Sequence, residues 1–402
     1  MMAQQYDVLV VGGGMVGAAI ALGLANTGQR VGLIEHQLPK PFEVDQPIDL
    51  RVSALSPASV ALLEELGVWQ TVLSWRAAPY ARMRVWELDE DETGLKARLA
   101  QQMATEFSAA ELGLEQLGYI VENRLIQRAL IERLQQTDVD IIAEQVASVD
   151  YSPGASLVEL ANQQTLVARL LVAADGGNSM VRQAAALAVH QWDYAQKAMV
   201  INVTTAQAQQ DITWQQFTPS GPHALLPLPG NRASLVWYDS PTRIDQLLSL
   251  SDTDLRDAIY ASFPKRVGEI LSIDARAAFP LRRLHALSYF KPGVVLAGDA
   301  AHQVNPLAGQ GVNLGFQDVQ ALLASLRSAK AMGLRIESTE ALAAYEKERR
   351  SANLLMIQTL DLFYRGFSNR FLPLKVGRNL ILAIGGSITP LRTKIIKLAS
   401  GF

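Results

Sequence analysis

The feature that most restricts the fold lies at the N-terminus. There the apolar, β-branched run Tyr6 to Val11 passes directly into Gly12-Gly13-Gly14-Met15-Val16-Gly17 and then into the helix-like stretch Ala18 to Asn26. Strand, glycine turn and helix in that order open a dinucleotide-binding α/β unit. The GxGxxG spacing puts Gly12 at the tight turn, Gly14 where backbone must approach a pyrophosphate, and Gly17 where helix and strand pack closely. Met15 and Val16 then sit at a helix N-terminus that faces the phosphates. A second strand, Arg30 to Ile34, ends in Glu35, 18 residues beyond Gly17. That is the expected place for an acid that accepts hydrogen bonds from a ribose hydroxyl and repels a ribose phosphate, which favours FAD or NAD over NADP.

Two further segments have the same logic. Leu170 to Ala174 is an apolar run ending in Asp175-Gly176-Gly177, and Val294 to Ala297 ends in Gly298-Asp299-Ala300-Ala301-His302. Each reads as a buried parallel strand delivering an acid at its carboxyl end, where open α/β sheets bind ligands. After the second comes Asn305-Pro306-Leu307-Ala308-Gly309-Gln310-Gly311-Val312-Asn313, followed by Phe316, Val319, Leu323 and Leu326 at helical spacing. This predicts a second helix N-terminus aimed at the cofactor, where a dipole stabilises negative charge. Asp175 and Asp299 also fit plain helix caps.

Composition narrows the partners. With 402 residues the chain exceeds what one core usually supports, so two intertwined lobes are expected. A formal charge of -3 gives no general attraction to nucleic acid, and the absence of cysteine excludes disulfides and thiolate metal sites, leaving redox chemistry to a bound cofactor. No metal is expected. The apolar stretch Val8 to Val11 follows no basic n-region, and Leu380 to Ile384 stops at Gly385-Gly386, so neither export nor a spanning helix is indicated and the chain reads as cytoplasmic. From Arg365 to Phe402 there are seven basic residues and no acidic one, interleaved with apolar side chains such as Phe367, Phe371 and Ile395. Such a tail fits an anionic membrane surface or packing on the protein body, which leaves open a peripheral place on the inner face of the cytoplasmic membrane.

With these motifs in order over residues 6 to about 345, the chain resembles the group A flavin-dependent aromatic monooxygenases. The resemblance implies a Rossmann-like α/β FAD-binding domain with an inserted antiparallel β-sheet substrate domain and a C-terminal helical tail, as in para-hydroxybenzoate hydroxylase. The expected division is 1–75, 106–182 and 276–345 for FAD, 76–105 and 183–275 for substrate, and 346–402 for the tail. Gly12, Gly14, Met15, Val16, Gly17, Glu35, Arg51, Arg124, Asp175, Gly176, Asp299, Pro306, Gly309, Gly311, Val312 and Asn313 would contact FAD. Within the family, Arg51-Val52-Ser53-Ala54, Leu66-Gly67-Val68-Trp69, Val121-Glu122-Asn123 and Gly298 through Gly315 are similar to the hydroxylases of ubiquinone biosynthesis. Thr213 to Pro219 and Ala233 to Pro241 most resemble the member acting on a methoxy-methyl-polyprenyl benzoquinol.

By that resemblance a flavin hydroperoxide transfers oxygen to an electron-rich ring, with electrons from NADPH or NADH directly or through a partner. Other ubiquinone-biosynthesis proteins are candidate partners. Residues 195–285 carry alternating runs and turn clusters that read as an antiparallel sheet, with Trp214, Phe217, Leu225, Leu226, Pro227 and Trp237 as expected pocket residues or ordinary core. His302, Asn305 and Pro306 are the candidates for orienting a hydroxyl, relaying a proton or walling the reactive face; His302 also fits a strand-end backbone contact. A hydroxylase of another ring position, a flavin oxidase or dehydrogenase, and a non-catalytic FAD-binding subunit share the same motifs.

Overall fold

The computed structural model describes residues 4–87, 104–304 and 311–367, without the side chains of residues 360 and 363–367. At the centre of the first sheet lies β1 (Gln4–Val11), flanked by β2 (Val31–Ile34) and β11 (Thr165–Ala173). Beyond β2 comes β8 (Asp140–Ile142); beyond β11 come β18 (Val294–Leu296) and β17 (Phe290–Lys291). From β18 to β8 every pairing is parallel, which sends the carboxyl ends of β1, β2, β11 and β18 to one edge. Two antiparallel strands, β9 (Val146–Asp150) and β10 (Ser156–Leu160), extend β11 sideways. Val8, Leu9 and Val10 are fully buried, as expected of a strand covered on both faces.

In chain order the helices are α1 (Met15–Leu24), α2 (Pro57–Glu65), α3 (Trp69–Trp75), α4 (Asn123–Leu134), α5 (Met180–Ala184), α6 (Pro241–Ser249), α7 (Asp252–Ser262), α8 (Gly311–Ala331) and α9 (Thr339–Phe367). The first begins at Met15, three residues ahead of the apolar stretch that predicts it, because the glycine turn leads into helical geometry without a side-chain cap. A small sheet of β3 (Val52–Leu55), β7 (Gly118–Glu122) and β4 (Ala78–Tyr80) sits beside this layer.

The second large sheet runs β19 (His302–Gln303), β16 (Ile270–Ala286), β12 (Val189–Thr205), β15 (Arg232–Asp239), β14 (Gly221–Leu228), β13 (Ile212–Thr218), β5 (Arg82–Glu87) and β6 (Thr105–Ser108). It is antiparallel apart from the β13–β5 pair. β16 runs unbroken through residue 276. One face packs Met199, Ile201, Trp214, Leu225, Leu235 and Trp237 against Ile244 and Leu247 of α6 and Leu255 and Ile259 of α7. Ser240 and Ser251 start those helices, their hydroxyls accepting from the Arg243 and Asp254 amides. Burying each such side chain contributes about 1.5–3 kcal/mol, so this face is a core. The opposite face meets the segment leading into β3: Asn202 donates to the carbonyls of Ile48 and Asp49, and the Arg51 guanidinium lies over the Phe279 ring at 5.2 Å. Among the described residues no helix is long and apolar enough to cross a membrane.

Within the helix-covered core His223 stacks on Phe263 at 4.6 Å and meets Trp237 edge-on at 5.2 Å. Burial, opposed by a backbone contact at Ser262, pushes its imidazole down from 6.5 to about 4. The folded state therefore favours the neutral ring: its stability is fully present above 6.5 and is lost as pH falls toward 4. Between pH 7 and pH 5 this residue should cost about 2 kcal/mol. Urea unfolding at both pH values is expected to show a smaller drop for His223→Leu than for the parent chain, and equal drops would contradict the assignment.

Candidate active site

Three turns converge at the carboxyl edge of β2, β1, β11 and β18. In the first, Gly12 has φ +98°, and a Cβ there would lie 2.3 Å from the Ala174 carbonyl oxygen; a Cβ on Gly17 would lie 1.9 Å from the Gly12 oxygen. Only glycine allows that approach. A Cβ on Gly14, which precedes α1, would meet nothing within 4 Å, and no side chain caps the helix, so its first turn opens onto free space. Met15 and Val16 are half-buried beside them. Glu35 closes the turn's mouth: the Gly13 amide donates to Oε2 and the Gln37 amide to Oε1, each at 2.8 Å. Oε1 also lies 3.2 Å from His36 Nδ1, and Oε2 keeps a lone pair for a hydroxyl donor.

The second turn follows β11. Asp175 Oδ2 accepts from the Met180 and Val181 amides at 2.8 and 3.3 Å, so this carboxylate does cap α5. Its Oδ1, however, is buried with no hydrogen-bond partner within bonding geometry, and burial raises the carboxyl above its ordinary value against the Ser179 hydroxyl and the Val181 and Met180 amides. A buried acceptor without a donor fits a ligand bearing hydroxyls. Gly176, at φ +82°, has nothing within 4 Å of its Cβ direction.

The third turn follows β18, where Asp299 is exposed and accepts from Gln303 at 3.2 Å. The Gln303 amide packs against Gly177, within 2.5 Å of where a Cβ would lie, and Arg182 donates to the carbonyls of Gly177 and Ala300 at 2.7 and 2.8 Å, so both residues tie the second turn to the third. Cβ atoms on Gly298 and Gly315 would meet Val16 at 3.1 and 2.6 Å. The starts of α1 and α8 are thereby pressed together around the Gly-Asp turn. Open amides, an orphaned carboxylate oxygen and an exposed acid around one space fit a dinucleotide such as FAD.

Other expected contacts fall differently. Arg51 is exposed, with its guanidinium on Phe279. Arg124 is engaged by Glu122 at 3.2 Å and by the Pro47 carbonyl. Asn313 is buried, and its side chain is committed locally: it donates to the Ala54 carbonyl and accepts from the Ser56 amide and the Ser59 hydroxyl. Gly311 opens α8 and Val312 is half-buried. Asn305, Pro306 and Gly309 lie outside the described residues.

His302 faces inward. It is 2% exposed, and its Nε2 lies 2.5 Å from Asp318 Oδ2. That oxygen also accepts from the Gly298 amide at 3.0 Å, while Oδ1 accepts from Arg349 Nε at 2.9 Å and Asn353 Nδ2 at 3.1 Å. Burial alone would raise the Asp318 carboxyl; His302 and Arg349 outweigh it and hold the group below its ordinary value. This geometry makes His302 a support beneath the turn and offers it no open approach to a ring hydroxyl. Nor do the six expected pocket residues share one wall. Strand alternation sends Trp214, Leu225, Pro227 and Trp237 to the helix-covered face, and Phe217 and Leu226 to the other.

Asp318, Arg182 and Gln303 are absent from the sequence-based expectations. For Asp318 a signal exists: it lies on the stripe of Gly315, Leu322 and Ser325, and a carboxylate on a buried stripe demands partners.

A family model described as FAD binding domain matches residues 5–359. The 3-demethoxyubiquinol 3-hydroxylase of Escherichia coli (strain K12) is 44% identical over 400 residues, covering 99% of each chain. The mitochondrial ubiquinone biosynthesis monooxygenase COQ6 of Xenopus tropicalis is 34% identical over 445 aligned positions, covering 98% of this chain and 93% of its own. Among solved structures, p-nitrophenol 4-monooxygenase PnpA from Pseudomonas putida DLL-E4 matches with a TM-score of 0.76 at 19% identity, over 100% of this chain and 98% of its own; that likeness concerns the fold alone.

Gly17→Ala forces the turn open, so the purified variant is expected to retain less than about a tenth of the parent's FAD by absorption, a loss of at least 1.4 kcal/mol in affinity. Undiminished FAD content would contradict the close approach of Gly17 to Gly12. Asp318→Ala leaves Arg349 buried without its carboxylate and should cost about 3–5 kcal/mol in urea unfolding, whereas a change below 1 kcal/mol would show that the cluster is not coupled.

Proposed function

The chain belongs to the FAD binding domain family of flavin-dependent monooxygenases, and from that premise we propose that it hydroxylates the ring of a polyprenyl methoxy-methyl benzoquinol in ubiquinone biosynthesis, using one atom of dioxygen. The observation that carries this reading is the full-length likeness to a relative named for demethoxyubiquinol hydroxylation, at 44% identity. The convergence of the three turns beside the open face of the second sheet supports it.

Bound FAD supplies the activation of dioxygen and its transfer to carbon. The chain's own part is to bind, orient and shield. Gly14 and the first amides of α1 take the pyrophosphate; Glu35 takes the adenosine ribose; Asp175 and Asp299 take hydroxyls; Arg51 neutralises negative charge from the side of the second sheet. The start of α8 favours negative charge near the Gly-Asp turn, and Asp318 holds that turn through the Gly298 amide. His302, fixed by Asp318, is a positioning residue. The apolar floor of the second sheet keeps water from the reacting ring, which a hydroxylating flavin requires.

Electrons come from NADPH or NADH, directly or through a partner protein. The basic, acid-free segment 365–402 brings the protein to an anionic bilayer surface, where a polyprenyl quinol resides. Hydroxylation at another ring position is a second reading, because the COQ6 relative at 34% identity is named only as a ubiquinone biosynthesis monooxygenase.

The deciding experiment supplies FAD-loaded protein with reductant, a methoxy-methyl benzoquinol and labelled dioxygen, and analyses the product by mass and NMR. One labelled oxygen on the ring is expected, and its position separates the two readings. Oxygen consumption to peroxide with no ring oxygen, with reductant in excess, would overturn the hydroxylase.

A further inference from the structure

One row of side chains crosses six strands of the second sheet in register. Ala277 on β16 pairs with Val200 on β12, Val200 with Val236 on β15, Val236 with Ala224 on β14, Ala224 with Gln215 on β13, and Gln215 with Val85 on β5. Cross-strand partners share a face, and this is the face opposite α6 and α7. Their chain neighbours Met199, Leu225 and Leu235 are fully buried beneath those helices, while all six members of the row are only half-buried.

Five of the six are alanine or valine, so the floor is low as well as apolar. On one side of the row stand Phe279, Ala198, Tyr238, Pro222 and Phe217, of which the three aromatic rings form a raised rim; on the other stand Ala275, Asn202, Ser234, Leu226 and Thr213. Small residues running beside that aromatic rim make a shallow trough, and six strands at about 4.8 Å spacing make it roughly 24 Å long. One end is placed by its neighbours. Ala277 lies two residues from Phe279, which carries the Arg51 guanidinium. The other end leads away from the three turns to β5.

Resting on the hydroxylase reading above, we propose that this trough binds the isoprenoid chain of the quinol, with the ring at the β16 end and the chain running across the strands toward β5. An isoprenoid chain asks only for removal of apolar surface from water, which a row of methyl groups provides. A peptide segment would need hydrogen-bond partners for its amides, and Gln215 is the one polar side chain in the row.

The test uses the full-length FAD-loaded protein and methoxy-methyl benzoquinols carrying from none to several isoprene units in detergent micelles, reading kcat/KM for ring hydroxylation at each length. For the parent chain kcat/KM is expected to rise at least tenfold from the bare ring to the longer chains. Ala224→Phe blocks the middle of the trough and should flatten that rise at intermediate length. Val85→Phe, at the outer end, should flatten it only for the longest chains. FAD content and unfolding midpoint identify a variant that misfolds, and Val200→Phe then replaces Ala224→Phe. A chain-length preference that is absent in the parent, or unchanged in both variants, overturns the trough and leaves the hydroxylase reading standing. Failure to insert oxygen into any quinol overturns that reading and the trough together.

Discussion

The buried carboxylate of Asp318 is the constraint on which the rest of the site depends. It is fully inaccessible, and a lone carboxylate there would be prohibitively costly. Four donors remove that cost: the Gly298 amide, His302, Arg349 and Asn353. Those donors come from the Gly-Asp turn, from β19 and from α9, so satisfying one charge fixes the turn, the edge of the second sheet and the C-terminal helix against α8. Arg349 reaches on to the Leu314 carbonyl, and Asn353 donates to the Tyr289 hydroxyl, which extends the constraint into the core under β18.

With the third turn held, the first two fall into place by close approach. Gly12, Gly17 and Gly315 each allow a contact that a side chain would block, Gly298 adopts a left-handed φ of +57° against Val16, and together they press the starts of α1 and α8 around one space. The parallel sheet supplies the acids at that edge, and the second sheet supplies an apolar wall facing it. Binding of a charged dinucleotide and exclusion of water from a reacting ring are opposed demands. Dividing them between two sheets, one ending in polar turns and the other presenting alanine and valine, meets both.

Much of this was legible in the sequence because the relevant signals are local. Strand, glycine turn and helix at residues 6–26, and the acid-ending strands at 170–175 and 294–299, each need only a short window. What was not legible depends on which way a side chain points across the fold. Trp214, Leu225 and Trp237 look like pocket residues in a sequence, since both faces of their sheet carry apolar side chains; only α6 and α7 decide which face is core. His302 follows a strand in a motif that suggests chemistry, yet its direction is set by Asp318, 16 residues on. The register from Ala277 to Val85 joins strands far apart in the chain, and no single-strand periodicity reveals it.

The central claim is that the chemistry takes place between the Gly-Asp turn and the open face of the second sheet. The most direct measurement is photolabelling of the FAD-loaded protein with a benzoquinone carrying a photoreactive group on the ring, with the modified residues located by peptide mass spectrometry. The account predicts labels on the open face of β12, β15 and β16, around Val200, Val236 and Ala277, and on the turn after β18. Labels confined to the surface cleft of Trp69, Glu115 and Tyr119, or to the helix-covered face around Trp237, would contradict it.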